Sequence, residues 1–145
     1  MVLGYELTCT YRLFKSNFGR EDYLLAIKSQ AHRKSLTQLR VGAHKLQIEL
    51  GRHSVPYIDP AERICKNCDL GDVEDEFHFM IKCPLYNRLR QVLYEKITCK
   101  FPIFEMYDHR NKFIWLLGNL DTGVLNLVAA FVYDCFKWRT ANIND

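Results

Sequence analysis

The 145-residue sequence has no apolar run long enough to cross a membrane, and none near its start long enough to act as a signal peptide. Its most apolar stretch, residues 124–136, is short and is broken by Asn126 and Asp134, while the opening MVLGYELTCTYR carries an acid at Glu6. Neither membrane residence nor secretion is expected. The six cysteines therefore read as reduced thiols of an intracellular protein, nuclear or cytoplasmic, and not as a secreted disulfide framework. The chain also lacks the composition of a disordered segment: 48% hydrophobic and 26% charged residues suit one domain, 1–145, with a modest core.

What the sequence does have is a cluster of metal-binding residue types. Cys65, Cys68, His78 and Cys83 follow one another with two, nine and four residues between successive members. Three thiols and an imidazole are the donor set of a tetrahedral Zn²⁺, and a CxxC pair closes on one ion as a tight turn. The alternative, that these are small buried hydrophobes, fits poorly with neighbours such as Asn67, Gly71 and Asp72. His78 and Cys83 lie five positions apart and would diverge on a continuous α-helix, so sharing an ion requires a break between them. Pro84 supplies one, and Cys83 reads as the N-cap of a helix starting at Pro84, where the dipole favours a thiolate. His53 is a second-choice ligand because of its distance in sequence from Cys65. Cys9, Cys99 and Cys135 are expected to pack as hydrophobes.

Charge is unevenly placed. Residues 1–57 carry nine Lys or Arg against four acids, residues 58–81 two against seven, and residues 82–145 nine against six. This divides the domain into basic N-terminal helices (1–57), a zinc-binding segment (58–84) and C-terminal helices (85–145). Between the ligand pairs, DLGDVEDEF gathers Asp69, Asp72, Glu74, Asp75 and Glu76 with no basic residue among them, which would repel phosphate. Arg63, Lys66 or Lys82 are the expected salt-bridge partners of these acids.

The periodicities predict a mainly α fold, a small helical bundle with one zinc-knuckle-like insertion. Residues 1–19 alternate weakly and read as a short strand or an irregular docking segment. A helix over 21–30 places Tyr23, Leu24 and Ile27 on one side. A single helix over 35–50 is marked by Leu36, Leu39, Ala43, Leu46 and Leu50, with Ser35 as cap and Gly51 as stop. Phe77, Phe79 and Met80 are expected to anchor the cluster to the core. Leu85, Leu89, Val92, Leu93 and Ile97 mark a helix face with Arg88, Arg90 and Lys96 outside it. After a connection through Pro102, a helix over 109–120 precedes a last one over 123–138, capped by Asp121 or Thr122 and apolar almost all round. That helix is either the buried centre of the bundle or has a side that meets a partner.

The run LTQLRVGAHKLQIELGRHSVPYIDPAERICKNC, followed by VEDEFHFMIKCPLYNRLR, resembles the segment downstream of the reverse transcriptase in LINE-type, non-LTR retrotransposon polyproteins. The likeness spans roughly residues 10–93. It includes Leu39, Arg40, Gly51, Arg52, the four candidate ligands and the His-Phe and Cys-Pro-Leu-Tyr surroundings. The resemblance implies a zinc-binding region that helps a polymerase hold template RNA or target DNA, with Cys65, Cys68, His78 and Cys83 matching the ligands. The chain has no YxDD-like carboxylate motif and no endonuclease region, so it is not expected to polymerise or nick by itself. If RNA or single-stranded DNA binds, the expected contacts are Arg33, Lys34, Arg40, Lys45 and Arg52 on the basic N-terminal helices. The rival expectation is a zinc-stabilised interaction domain docking on a reverse transcriptase or other protein through the apolar last helix. A zinc hydrolase would need an open metal position, which four protein ligands do not leave.

Overall fold

The computed structural model describes Leu13, Arg20, Glu21 and residues 23–143; apart from Leu13, the segment expected as strand or docking arm and Cys9 lie outside the described residues. The fold is a small helical bundle. Its helices are α1 (Tyr23–Ala26), α2 (Gln30–Val41), α3 (Gln47–His53), α4 (Asn87–Lys100), α5 (His109–Gly118) and α6 (Thr122–Asn142). Short 3₁₀ turns at Pro60–Glu62, Pro84–Tyr86 and Pro102–Met106 each begin with proline, whose missing N–H costs nothing at a helix start. Among the described residues the only β pairing is an isolated antiparallel bridge between Ile64 and Val73.

The last helix is the centre of the bundle. α6 packs against α1, α2, α4 and α5, and buries Val124, Leu125, Val128, Ala129, Phe131, Val132 and Cys135. Its near-continuous apolar surface is thus matched by four neighbours instead of one. Asn126, which interrupts that surface, accepts from the Lys28 amide at 3.1 Å and donates to the Ala26 carbonyl at 2.9 Å, so it closes the end of α1. Asp121 caps α6 by accepting from the Val124 amide at 3.0 Å, and Asp108 caps α5 through Asn111. Among the described residues no single helix is long and apolar enough to cross a membrane.

The helix expected over 35–50 is two helices. Gly42 ends α2 in the left-handed conformation, φ 73°, and its amide reaches back to the Gln38 and Leu39 carbonyls. The cap of α2 is Ser29, and Ser35 is buried within the helix. Gly51 lies inside α3 and does not stop it: a Cβ there would stand 2.7 Å from the Arg63 side chain, which crosses over it. The helix expected over 21–30 shrinks to the one turn of α1. Along α4, Leu93 and Ile97 face the core as expected, but Val92 is exposed and Arg90 is buried. Cys135 packs as a hydrophobe, whereas Cys99 is exposed.

Candidate metal centre

Two pieces of backbone bring the four candidate ligands together. The first is a small arch. The Cys65 amide donates to the Asp72 carbonyl and the Glu74 amide to the Arg63 carbonyl, both at 2.9 Å. The chain between them turns back through Gly71 at φ 70°, a conformation that favours glycine. Cys65 and Cys68 sit on this arch.

The second piece is a widened helical turn. Asp75 starts it by accepting from the His78 amide at 2.8 Å. From His78 to Lys82 the winding is π-helical, closed by the Cys83 amide donating to the His78 carbonyl at 2.8 Å. On an α-helix, residues five apart point about 140° away from each other. The i→i+5 bond sets Cys83 one full turn beyond His78, on the same side. The required break in α geometry therefore exists, and it takes the form of a wider turn ahead of Pro84. Cys83 then precedes a 3₁₀ turn and not an α-helix, which begins only at Asn87.

That geometry strands carbonyls, and Arg90 collects them. Its guanidinium donates to the Met80 carbonyl at 2.8 Å, the Cys83 carbonyl at 2.9 Å and the Phe79 carbonyl at 3.2 Å. Phe79 and Met80 are fully buried, Phe79 stacking on Phe136 at 5.0 Å, so the expected apolar anchor of the cluster is present.

The donor atoms of Cys65, Cys68, His78 and Cys83 all lie within 4.8 Å of one another. A tetrahedron with bonds of about 2.3 Å has edges near 3.8 Å, so a small contraction would close the set on one ion. Nε2 of His78 stands 3.4 Å from the Cys68 sulfur and is the ring atom facing the cluster. As a thiol, Cys65 is pushed up to about 12 by its hydrogen bond with Cys83 and by burial, while that same hydrogen bond pulls Cys83 down. A divalent ion displaces such protons, so metal uptake depends on pH. These four residues can hold a metal ion. His53 lies elsewhere, lining a groove with Lys45.

The acids between the ligands do not form one exposed rim. Glu74 is buried: it accepts from the Gln47 amide at 2.8 Å, capping α3 where Leu46 has no side chain able to do so, and it pairs with Arg139 of α6. Glu76 pairs with His44 at 3.0 Å. Asp72 pairs with Lys82 at 2.8 Å, and that ammonium holds its carboxyl below the usual range. Of the expected cationic partners Lys82 takes that role, whereas Arg63 turns inward to the Ile48 and Ile58 carbonyls. Arg90 gave no sequence signal beyond a helical charge off the apolar face, whereas Arg139 falls in phase with Val128, Val132 and Cys135, a periodicity that marks it as inward-facing.

The five residues expected to contact nucleic acid have different surroundings. Arg40 is buried, donating to the Leu117 carbonyl, pairing with Glu21 at 3.3 Å and lying over the Tyr23 ring, so its guanidinium is not presented to solvent. Arg33 donates to the Ile27 carbonyl at 2.9 Å, and Arg52 pairs with Glu49 at 3.3 Å. Lys34 and Lys45 are exposed. Lys45 borders an open groove of about 630 Å³ shared with Gln38, His44, His53, Phe136 and Thr140. No protein-family model, curated protein or solved structure matches the chain.

Proposed function

We propose that Cys65, Cys68, His78 and Cys83 hold one structural Zn²⁺, and that the chain is a non-enzymatic accessory module of the kind found downstream of the reverse transcriptase in LINE-type polyproteins. The observation that carries the metal is the convergence of three thiols and an imidazole within 4.8 Å on two separate pieces of backbone, with nine residues between Cys68 and His78. Soft thiolates select zinc over magnesium or calcium. Four protein ligands fill a tetrahedron and leave no position for water or substrate, which supports a structural and not a hydrolytic role. The ion would tie the arch to the π-turn, and through Glu74 and Arg139 to α3 and α6.

On this reading RNA or single-stranded DNA meets the exposed Lys34 and Lys45 and the groove next to Lys45. The ion pair of Glu74 with Arg139 offsets part of the negative field that the sequence alone places beside the metal. The competing role, docking on a polymerase through the last helix, is less well supported because α6 directs its apolar side chains into the bundle.

The experiment has two parts on the purified full chain. Metal analysis is expected to find one zinc per molecule, lost in Cys65→Ser and Cys83→Ser. Binding to a single-stranded oligonucleotide is then followed against salt. A phosphate-contacting module loses affinity as salt rises, and Lys34→Ala with Lys45→Ala lowers the slope by about 1.4 if each lysine neutralises one phosphate. Absence of binding at low salt would overturn the nucleic-acid role and favour the protein partner.

A further inference from the structure

We propose that Asp72 is the positioning residue of the metal centre: its carboxylate, steadied by Lys82, takes the Nδ1–H of His78 and leaves the Nε2 lone pair aimed at the ion. This rests on the metal reading above and adds the group that selects the histidine tautomer.

The two ring nitrogens of His78 have different surroundings. Nε2 faces the Cys68 sulfur. Nδ1 is buried on the other side of the ring and makes no hydrogen bond. The carboxylate paired with it is that of Asp72, whose Oδ2 lies 3.7 Å away and 2.8 Å from the Lys82 ammonium. A buried N–H without an acceptor is costly, and a neutral imidazole that binds metal through Nε2 must carry its proton on Nδ1. Asp72 is half-exposed and has room to swing the fraction of an ångström that makes the contact a hydrogen bond. The opposite tautomer would point an N–H at the ion and block it.

The placement ties together both halves of the site. Asp72 stands on the arch, where its own carbonyl holds the Cys65 amide. His78 and Lys82 are the first and last residues of the π-turn. The chain Lys82, Asp72, His78 is thus a polar link between the arms that the ion also joins, and Lys82 offsets the added negative charge beside three thiolates. Partners of this kind orient ligating histidines and raise their basicity, and their removal typically weakens metal binding by about 10 to 100-fold.

The test uses the full chain loaded with zinc, comparing wild type with Asp72→Ala, Asp72→Asn, Asp72→Glu and Lys82→Met. Zinc affinity is read by chelator competition and the His78 tautomer by nitrogen-15 NMR. Asp72→Ala is expected to lose about 10 to 100-fold in affinity while keeping one zinc per chain at saturation and full helix content. Asp72→Asn, which keeps an acceptor, should fall between, Asp72→Glu should recover part of the loss, and Lys82→Met should lose less than Asp72→Ala. Wild type should show a solvent-protected Nδ1–H that exchanges faster in Asp72→Ala. If wild type binds zinc and Asp72→Ala binds it equally well, or if Nδ1 proves to be the ligating atom, the positioning role is overturned and the zinc site stands. If wild type takes up no zinc, both fall.

Discussion

The segment from Arg63 to Cys83 and the bundle around α6 are stabilised in different ways. Around α6, Leu93, Ile97, Phe104, Phe113, Leu116, Val128 and Val132 exclude water through many small, non-directional contacts. In the segment the buried groups include Cys65, Glu74, Glu76, His78 and Cys83, which depend on a few directional partners. Loss of a methyl group from the first region leaves its other contacts in place. Loss of one sulfur, or of the Glu74 carboxylate, from the second removes a partner that nothing nearby replaces. The bundle is expected to tolerate substitution and the segment to fail abruptly.

The most decisive challenge to this contrast is chelation. Structural zinc contributes about 10 kcal/mol or more in small domains, so its removal should abolish amide-exchange protection over residues 63–83 while the middle of α6 stays protected. Simultaneous loss of protection in both regions would erase the distinction. Next comes the bond between the regions: Arg139→Met leaves Glu74 charged and buried without its partner and should cost about 3–5 kcal/mol in denaturant unfolding. Within the bundle, Leu116→Ala should cost about 2–5 kcal/mol through the cavity it opens, with zinc affinity unchanged. Ser29→Ala, which removes the acceptor for the His32 amide, should cost about 1 kcal/mol.

The smallest effect expected is on acid stability. The Val124 amide, and then Lys100, hold the Asp121 carboxyl below its ordinary range. A depressed folded pKa gives stability that is complete above the unfolded value, about 3.9, and is lost as pH falls through the folded one. Thermal melts of wild type should therefore fall below about pH 4 more steeply than those of Asp121→Asn, which keeps an acceptor but cannot titrate.

The ligand set was legible because coordination chemistry admits few residue types, and Cys65, Cys68, His78 and Cys83 met in space as their spacing required. The need for a break before Pro84 was legible too, but its π form was not, since it depends on Arg90 taking three carbonyls. Arg40 and Arg90 were misread for one shared reason. Helical periodicity puts Arg40 and Arg90 off the apolar stripes, and only tertiary packing shows which carbonyls lack a partner. The split at Gly42 was hidden because Leu46 and Leu50 continue the phase of α2 by coincidence, although Leu46 is buried and Leu50 partly exposed. The apolar α6 was ambiguous between centre and interface, since hydrophobicity alone does not count neighbours.

The π-turn makes the site unequal in its tolerance of changed length. Deleting one residue from positions 79–82 would place the histidine and cysteine four apart, about 40° from each other on an ordinary α-helix and still able to share an ion. Adding one would swing them about 120° apart, beyond the reach of a single metal. In related chains this interval is therefore expected to shorten more readily than to lengthen.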